Sequence, residues 1–149
     1  MRSGTLATHQ IVGMGTAFHL AQTEMPSELA RIKMLHDRLW QGLSGSNPSG
    51  IKNIILNGDM TQRIPHNLSI SFEYVPGKQL TNVLAEIAVS SGSACTAASL
   101  EPSYVLRALG RSDALAHNTI RFSLGRTTTQ AEIDFTINLV KGKIDQLRQ

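Results

Sequence analysis

Cys95 is the only cysteine in the chain, and it stands inside a run of small residues, Ala88-Val89-Ser90-Ser91-Gly92-Ser93-Ala94-Cys95-Thr96-Ala97-Ala98-Ser99. Small side chains give a backbone little packing to fix it, so the sequence predicts a thiol on a mobile, approachable loop. A structural cysteine would instead have large apolar neighbours. Three roles are open to such a thiol: nucleophile, redox sensor, or incidental residue of a flexible loop. A hydrolase-type nucleophile needs a histidine base, and His117 is the nearest candidate along the chain, though no spacing ties it to Cys95. Arg121 is alone on the polar side of an alternating stretch; it suits a fork on a carboxylate, and a surface ion pair explains it equally well. Thr5, behind Gly4, suits a hydroxyl-plus-backbone anion clamp or a plain helix cap.

The rest of the composition narrows the setting. With 149 residues, 41% hydrophobic and 17% charged, the chain can build one compact core with an appendage. The net charge of +3 is spread without a Lys/Arg run, and only 5% of residues are aromatic, which argues against a nucleic-acid partner. The densest basic stretch, Arg107, Arg111, Arg121 and Arg126 with Asp113 among them, reads as an anion site or as a solvated face. A single cysteine forbids an internal disulfide and fits a reducing compartment. His9, His19, His36, His66 and His117 show no metal-ligand spacing. No apolar run has membrane-spanning length and no signal peptide is evident, so a soluble cytoplasmic protein is expected.

The elements that must carry these residues follow from periodicity. Ile11, Met14, Phe18, Ala21 and Met25 recur at helical spacing, with Thr5 as a candidate cap. Pro26 predicts an interruption, and Ser27 a cap for a second helix bearing Leu29, Ile32, Leu35, Leu39 and Leu43. Ser44 to Gly50 reads as a loop. Strands are expected at Ile51 to Leu56, closed by the turn Asn57-Gly58-Asp59, and around Leu68, Ile70 and Phe72. Leu80 to Ile87 predicts a helix leading into the cysteine loop. Glu101-Pro102 opens a short helix that Gly110 closes. In Asn118 to Leu124, burial of Ile120, Phe122 and Leu124 turns Arg121 to the open face. Thr129 and Glu132 form a capping-box pair ahead of a long amphipathic helix. The order predicts an α/β fold with a small, mainly antiparallel sheet covered by helices, while the N-terminal helices read as a piece of something larger.

The stretch Ser90-Ser91-Gly92-Ser93-Ala94-Cys95-Thr96, continued by Ser99-Leu100-Glu101-Pro102-Ser103-Tyr104-Val105-Leu106-Arg107-Ala108-Leu109-Gly110, closely resembles the group I cysteine desulfurases of the housekeeping iron–sulfur assembly type. Met1-Arg2-Ser3-Gly4-Thr5, Arg38-Leu39-Trp40 and Ile120-Arg121-Phe122-Ser123-Leu124-Gly125-Arg126 match in the same order. The resemblance covers essentially the whole chain and lies with the C-terminal part of that family. It implies the small C-terminal domain of a fold-type I, aminotransferase-like enzyme that uses pyridoxal phosphate, with residues 1–25 left from the large domain and 26–149 forming the small one.

In such enzymes the cofactor activates substrate L-cysteine, and an enzyme thiolate takes its sulfur as a persulfide, leaving L-alanine. By motif position the resemblance implies that Cys95 is that thiolate and that Arg121 binds the substrate carboxylate. It also implies that Thr5 reaches the cofactor phosphate of the neighbouring subunit in a homodimer. Sulfur then passes to an iron–sulfur scaffold protein or other acceptors, and Cys95 can transiently share a [2Fe-2S] cluster with the scaffold. The family's Schiff-base lysine, stacking histidine and pyridine-nitrogen aspartate belong to a domain before Met1, and none of Lys33, Lys52, Lys78, Lys141 or Lys143 sits in the lysine motif. Gln149 precedes the family's scaffold-docking tail, Ala97 replaces a common serine, and the Ser44 to Gly50 loop is somewhat long. Two readings follow: the C-terminal portion of a desulfurase, inactive by itself, or a non-enzymatic sulfur-carrier or dimerisation module.

Overall fold

The computed structural model describes residues 4–45, 48–75, 80–92 and 101–149. The chain divides into two compact units, the first ending at Arg31 and the second running from Ile32 to Gln149.

Helix α1 spans Thr8–Leu43 without a break, Pro26 included, where the sequence predicts two helices. Proline removes one backbone hydrogen bond and costs roughly 3 kcal/mol in a helix interior. The alanines, leucines, methionines and glutamates on both sides favour helix enough to carry it through. Ser27 does not cap a new helix; its hydroxyl donates to the Glu24 carbonyl at 2.9 Å. Nor does Thr5 cap α1, because the Ala7 carbonyl accepts from Ile11 N at 3.1 Å and the helix starts two residues later than Leu6. Residues 4–27 are exposed throughout, Leu6, Ile11, Val12, Met14, Phe18 and Met25 among them.

The second unit is built on a four-stranded antiparallel sheet in the order β1-β2-β4-β3, with β1 at Ile54–Leu56, β2 at Asn67–Phe72, β3 at Ser90–Ser91 and β4 at Thr119–Ser123. One face is apolar. Leu68, Ile70, Phe72, Ile120 and Phe122 pack into one core with Ile32, Leu35, Leu39 and Leu43 of α1 and Ile133, Ile137, Val140 and Ile144 of α5 (Gln130–Leu147). Gly42 allows the close approach of α1 and α5, since an added Cβ would collide with the Ile137 side chain. The capping box of Thr129 and Glu132 is present: Glu132 N donates to Thr129 Oγ1 at 3.3 Å and Thr129 N to Glu132 Oε2 at 2.7 Å.

Further expectations needed adjustment. The helix before the cysteine segment, α2, covers only Leu80–Val83 and gives way to a turn. Between residues 101 and 118 there are two short helices, α3 (Tyr104–Ala108) and α4 (Asp113–His117), with Gly110 at φ +77° between them. And Ser90–Ser91, read as loop, forms β3 by pairing with β4. Two residues are too few to show a period, so local pattern could not reveal that strand.

Candidate functional site

Pairing of β2 with β4 sets Ser69 opposite Arg121, Ser71 opposite Thr119 and Asn67 opposite Ser123. Side chains alternate along a strand, so these six share the face turned away from the apolar core. On the other side of β4, Ser90 lies opposite Arg121. Arg121 is thus the middle of a Ser69–Arg121–Ser90 row, with directly opposed Cβ atoms about 4.5–5.5 Å apart.

Above this row is a cavity of about 250 Å³. Asn57, Asn67, Ser69 and Arg121 supply its polar lining, and Val105, Leu106 and Leu109 form an apolar wall. Gly92 and Ser103 complete it. Gly92 fits tightly: a Cβ there would come within 2.6 Å of Leu106 Cδ1. Arg121 is half-buried, it is the sole charged residue among the described residues of the lining, and its guanidinium makes no hydrogen bond or ion pair with any described residue.

The other arginines near the sheet are engaged, which resolves the basic stretch residue by residue. Arg107 forms a two-point ion pair with Asp113 at 2.8 and 3.0 Å; this hydrogen bonding holds the Asp113 carboxyl below the usual carboxylate range. Arg111 Nε donates to Asn57 Oδ1 at 2.7 Å, and its Nη2 to the Leu56 carbonyl at 3.0 Å. Arg63 Nη2 donates to the Asn57 carbonyl at 2.8 Å, and burial pushes its guanidinium down from the ordinary arginine value. Arg126 also has a partner.

Asn57 is therefore gripped from two sides, and Arg111 fixes which way its amide points. With Oδ1 accepting from Arg111, Nδ2 donates to Ser71 Oγ at 2.8 Å and to Ser69 Oγ at 3.3 Å. Thr119 Oγ1 donates to the Leu115 carbonyl at 2.7 Å, so the 2.7 Å contact between Ser71 and Thr119 has Ser71 as donor. A directed chain of hydrogen bonds runs from Arg111 through Asn57, Ser71 and Thr119 to α4. Asn57, Ser71 and Thr119 are all buried, so each satisfied group avoids a penalty of about 1–3 kcal/mol.

Of the residues singled out in the sequence, Arg121 lies in the cavity and Thr5 is exposed in the N-terminal unit, where it makes no cap or ion pair with a described residue. Cys95 lies outside the described residues, as does Lys78; the described chain leaves the cysteine segment's two sides at Gly92 and Glu101. His117 is exposed at the end of α4 and does not line the cavity. The sequence offers Asn57 only as a turn residue and Arg111 only as part of a basic stretch, and it gives Ser69 and Ser103 no role in a site. Alternation does place Ser69 on the polar side of β2, but only the register sets it beside Arg121. Among the described residues no three His, Cys, Asp or Glu side chains group as a metal site. Among the described residues no helix is long and apolar enough to cross a membrane.

A match to the aminotransferase class-V family covers residues 1–135, and the chain belongs to that family. It is 62% identical over 149 residues to the cysteine desulfurase IscS of Methylobacillus flagellatus, covering 100% of this chain and 36% of that protein. IscS of Methylococcus capsulatus is 59% identical over the same span, again covering 36% of the relative. Among solved structures, a NifS-like protein from Rickettsia africae superposes with a TM-score of 0.78 at 25% identity, over 97% of this chain and 36% of that one. Another NifS-like protein gives 0.77 at 26% identity, with 98% and 36% coverage. The chain thus spans about a third of the length of these relatives, and its small antiparallel sheet with helices matches the C-terminal part of NifS-like pyridoxal phosphate enzymes.

The class-V aminotransferase family uses pyridoxal phosphate, which is held through a lysine Schiff base. The described residues of this chain do not build such a cradle. Lys33 pairs with Asp37 at 2.7 Å and Lys143 with Glu86 at 3.2 Å, and no described lysine lines the Arg121 cavity.

Proposed function

We propose that this chain is the sulfur-accepting portion of a cysteine desulfurase. In that reading sulfur leaves L-cysteine for the Cys95 thiolate, giving L-alanine and a Cys95 persulfide that is handed to an iron–sulfur scaffold or another acceptor in the cytoplasm. The observation that carries it is Arg121: a guanidinium without a partner among the described residues, in a cavity whose lining includes Gly92 and Ser103. These two residues flank the segment holding Cys95, and three residues of chain reach no farther than about 11 Å from Gly92. A fork on a substrate carboxylate there would present the rest of a small amino acid to the thiol.

Breaking the substrate carbon–sulfur bond needs an electron sink, which pyridoxal phosphate supplies when bound to the rest of the enzyme. The division of labour proposed is residues 1–25 with the larger cofactor-binding domain and 26–149 as the small domain. Thr5, exposed and not the cap of α1, is left available as a donor to the cofactor phosphate of a neighbouring subunit. The exposed apolar residues Ile11, Val12 and Phe18 suit a surface that the larger domain covers, and the Thr5 contact with a neighbouring subunit makes the enzyme a homodimer. A [2Fe-2S] cluster shared transiently through Cys95 would be cargo of the scaffold.

The test uses the enzyme that contains this chain. Cys95→Ala is expected to bind L-cysteine yet form no persulfide and almost no L-alanine. Arg121→Ala should bind L-cysteine about ten- to a hundredfold more weakly, from loss of a charge-assisted hydrogen bond, with Cys95 still open to alkylation. Normal L-alanine release by Cys95→Ala would overturn the proposal.

A further inference from the structure

We infer that the Ser69 hydroxyl is a second donor to the carboxylate held by Arg121, aimed by Asn57; this rests on Arg121 being a carboxylate clamp. Ser69 and Arg121 are direct cross-strand partners and line the same cavity. Ser69 Oγ accepts from Asn57 Nδ2 at 3.3 Å, and Arg111 on Oδ1 prevents the amide from turning to offer an acceptor instead. The Ser69 hydroxyl hydrogen therefore has no acceptor among the described residues. Ser71, one rung further, differs: the same amide donates to it, and its own hydrogen goes to Thr119.

The chemistry of the lining selects the ligand. No acidic residue is among the described lining of the cavity, so no described carboxylate there competes for the guanidinium. One fixed cation with a neutral hydroxyl donor beside it matches a carboxylate, whose two oxygens accept from both. Ser69 is a binding residue in this arrangement, and Asn57 a positioning one.

The experiment titrates the 149-residue chain with sodium acetate and follows the Arg121 Nε–H resonance by NMR. Acetate is expected to shift that resonance in the parent chain. Ser69→Thr keeps the donor and should bind within about twofold of the parent. Ser69→Val has the same shape as that variant without the hydroxyl, suits a strand equally, and should bind acetate about tenfold more weakly. Ser69→Ala should match Ser69→Val. Equal affinity of Ser69→Thr and Ser69→Val would overturn the inference and leave the Arg121 clamp standing. An Arg121 resonance that acetate does not move in the parent would overturn both.

Discussion

The two faces of the sheet are made from the same strands and do opposite things. On one, Leu68, Ile70, Phe72, Ile120 and Phe122 pack carbon against carbon with α1 and α5, and every one is buried. On the other, Ser69 and Ser71 accept from Asn57 and Ser71 donates to Thr119, bonds that have direction, while Arg121 lies in register beside Ser69. Apolar packing is indifferent to which atom faces which, provided volume is filled. Hydrogen bonds assign a donor and an acceptor at each link, so a chain of them can end with one group deliberately left over. The first face is the main store of stability, and the second is where the proposed carboxylate recognition would sit.

That contrast can be broken most severely at Phe72, which is fully buried. Phe72→Ala should lower unfolding free energy by about 3–5 kcal/mol, read from the urea midpoint. A loss below about 1 kcal/mol would mean that the apolar face is not the main store of stability. Asn57→Ala probes the polar face. It strands Arg111 and Ser71 and should lower stability by about 1–3 kcal/mol. Unlike Phe72→Ala it should also weaken acetate binding at Arg121, because Ser69 loses the group that orients it.

The smallest expected effect lies at the rim of the polar face. The Asp59 carboxylate accepts from the Thr61 hydroxyl at 2.6 Å and from the backbone N–H groups of Thr61 and Gln62 at 2.6 and 2.9 Å, which holds its carboxyl down at about 2. An unfolded aspartate titrates at about 3.9. The folded value is the lower one, so the contribution is fully present above about pH 4 and is lost as pH falls through about 2. A carboxyl ¹³C titration should place the midpoint near 2; a midpoint near 4 would show that the Asp59 turn is not formed.

How much of this was legible in the sequence depends on the range of the interaction. Alternation in Asn118 to Leu124 predicts Ile120, Phe122 and Leu124 inward and Arg121 on the open face, as found, because side-chain direction in a strand is set by the nearest neighbours. The capping box at Thr129 and Glu132 is equally local. Pro26 misleads because a single residue's preference was weighed against a helix favoured on both sides of it. Asn57 reads only as a turn residue: Arg111, which orients it, is 54 positions away, and no local pattern carries that pairing. The alternatives for Arg121, clamp or surface ion pair, narrow only once the partners of Arg63, Arg107 and Arg111 are known.

The junction after α1 has a use of another kind. Ser44 and Ile51 meet in a parallel bridge, and Ile51 N donates to the Leu43 carbonyl at 2.8 Å. Gly50 passes so close to Ser44 that a Cβ would strike its backbone. The two ends of the connection are thus stitched together independently of what lies between them, which makes it a port for grafting. Doubling the length of the closed segment would cost only about 0.6 kcal/mol in chain entropy. A reporter peptide or affinity tag inserted there, upstream of Gly50, would be borne by the stitch and not by the sheet that carries Arg121.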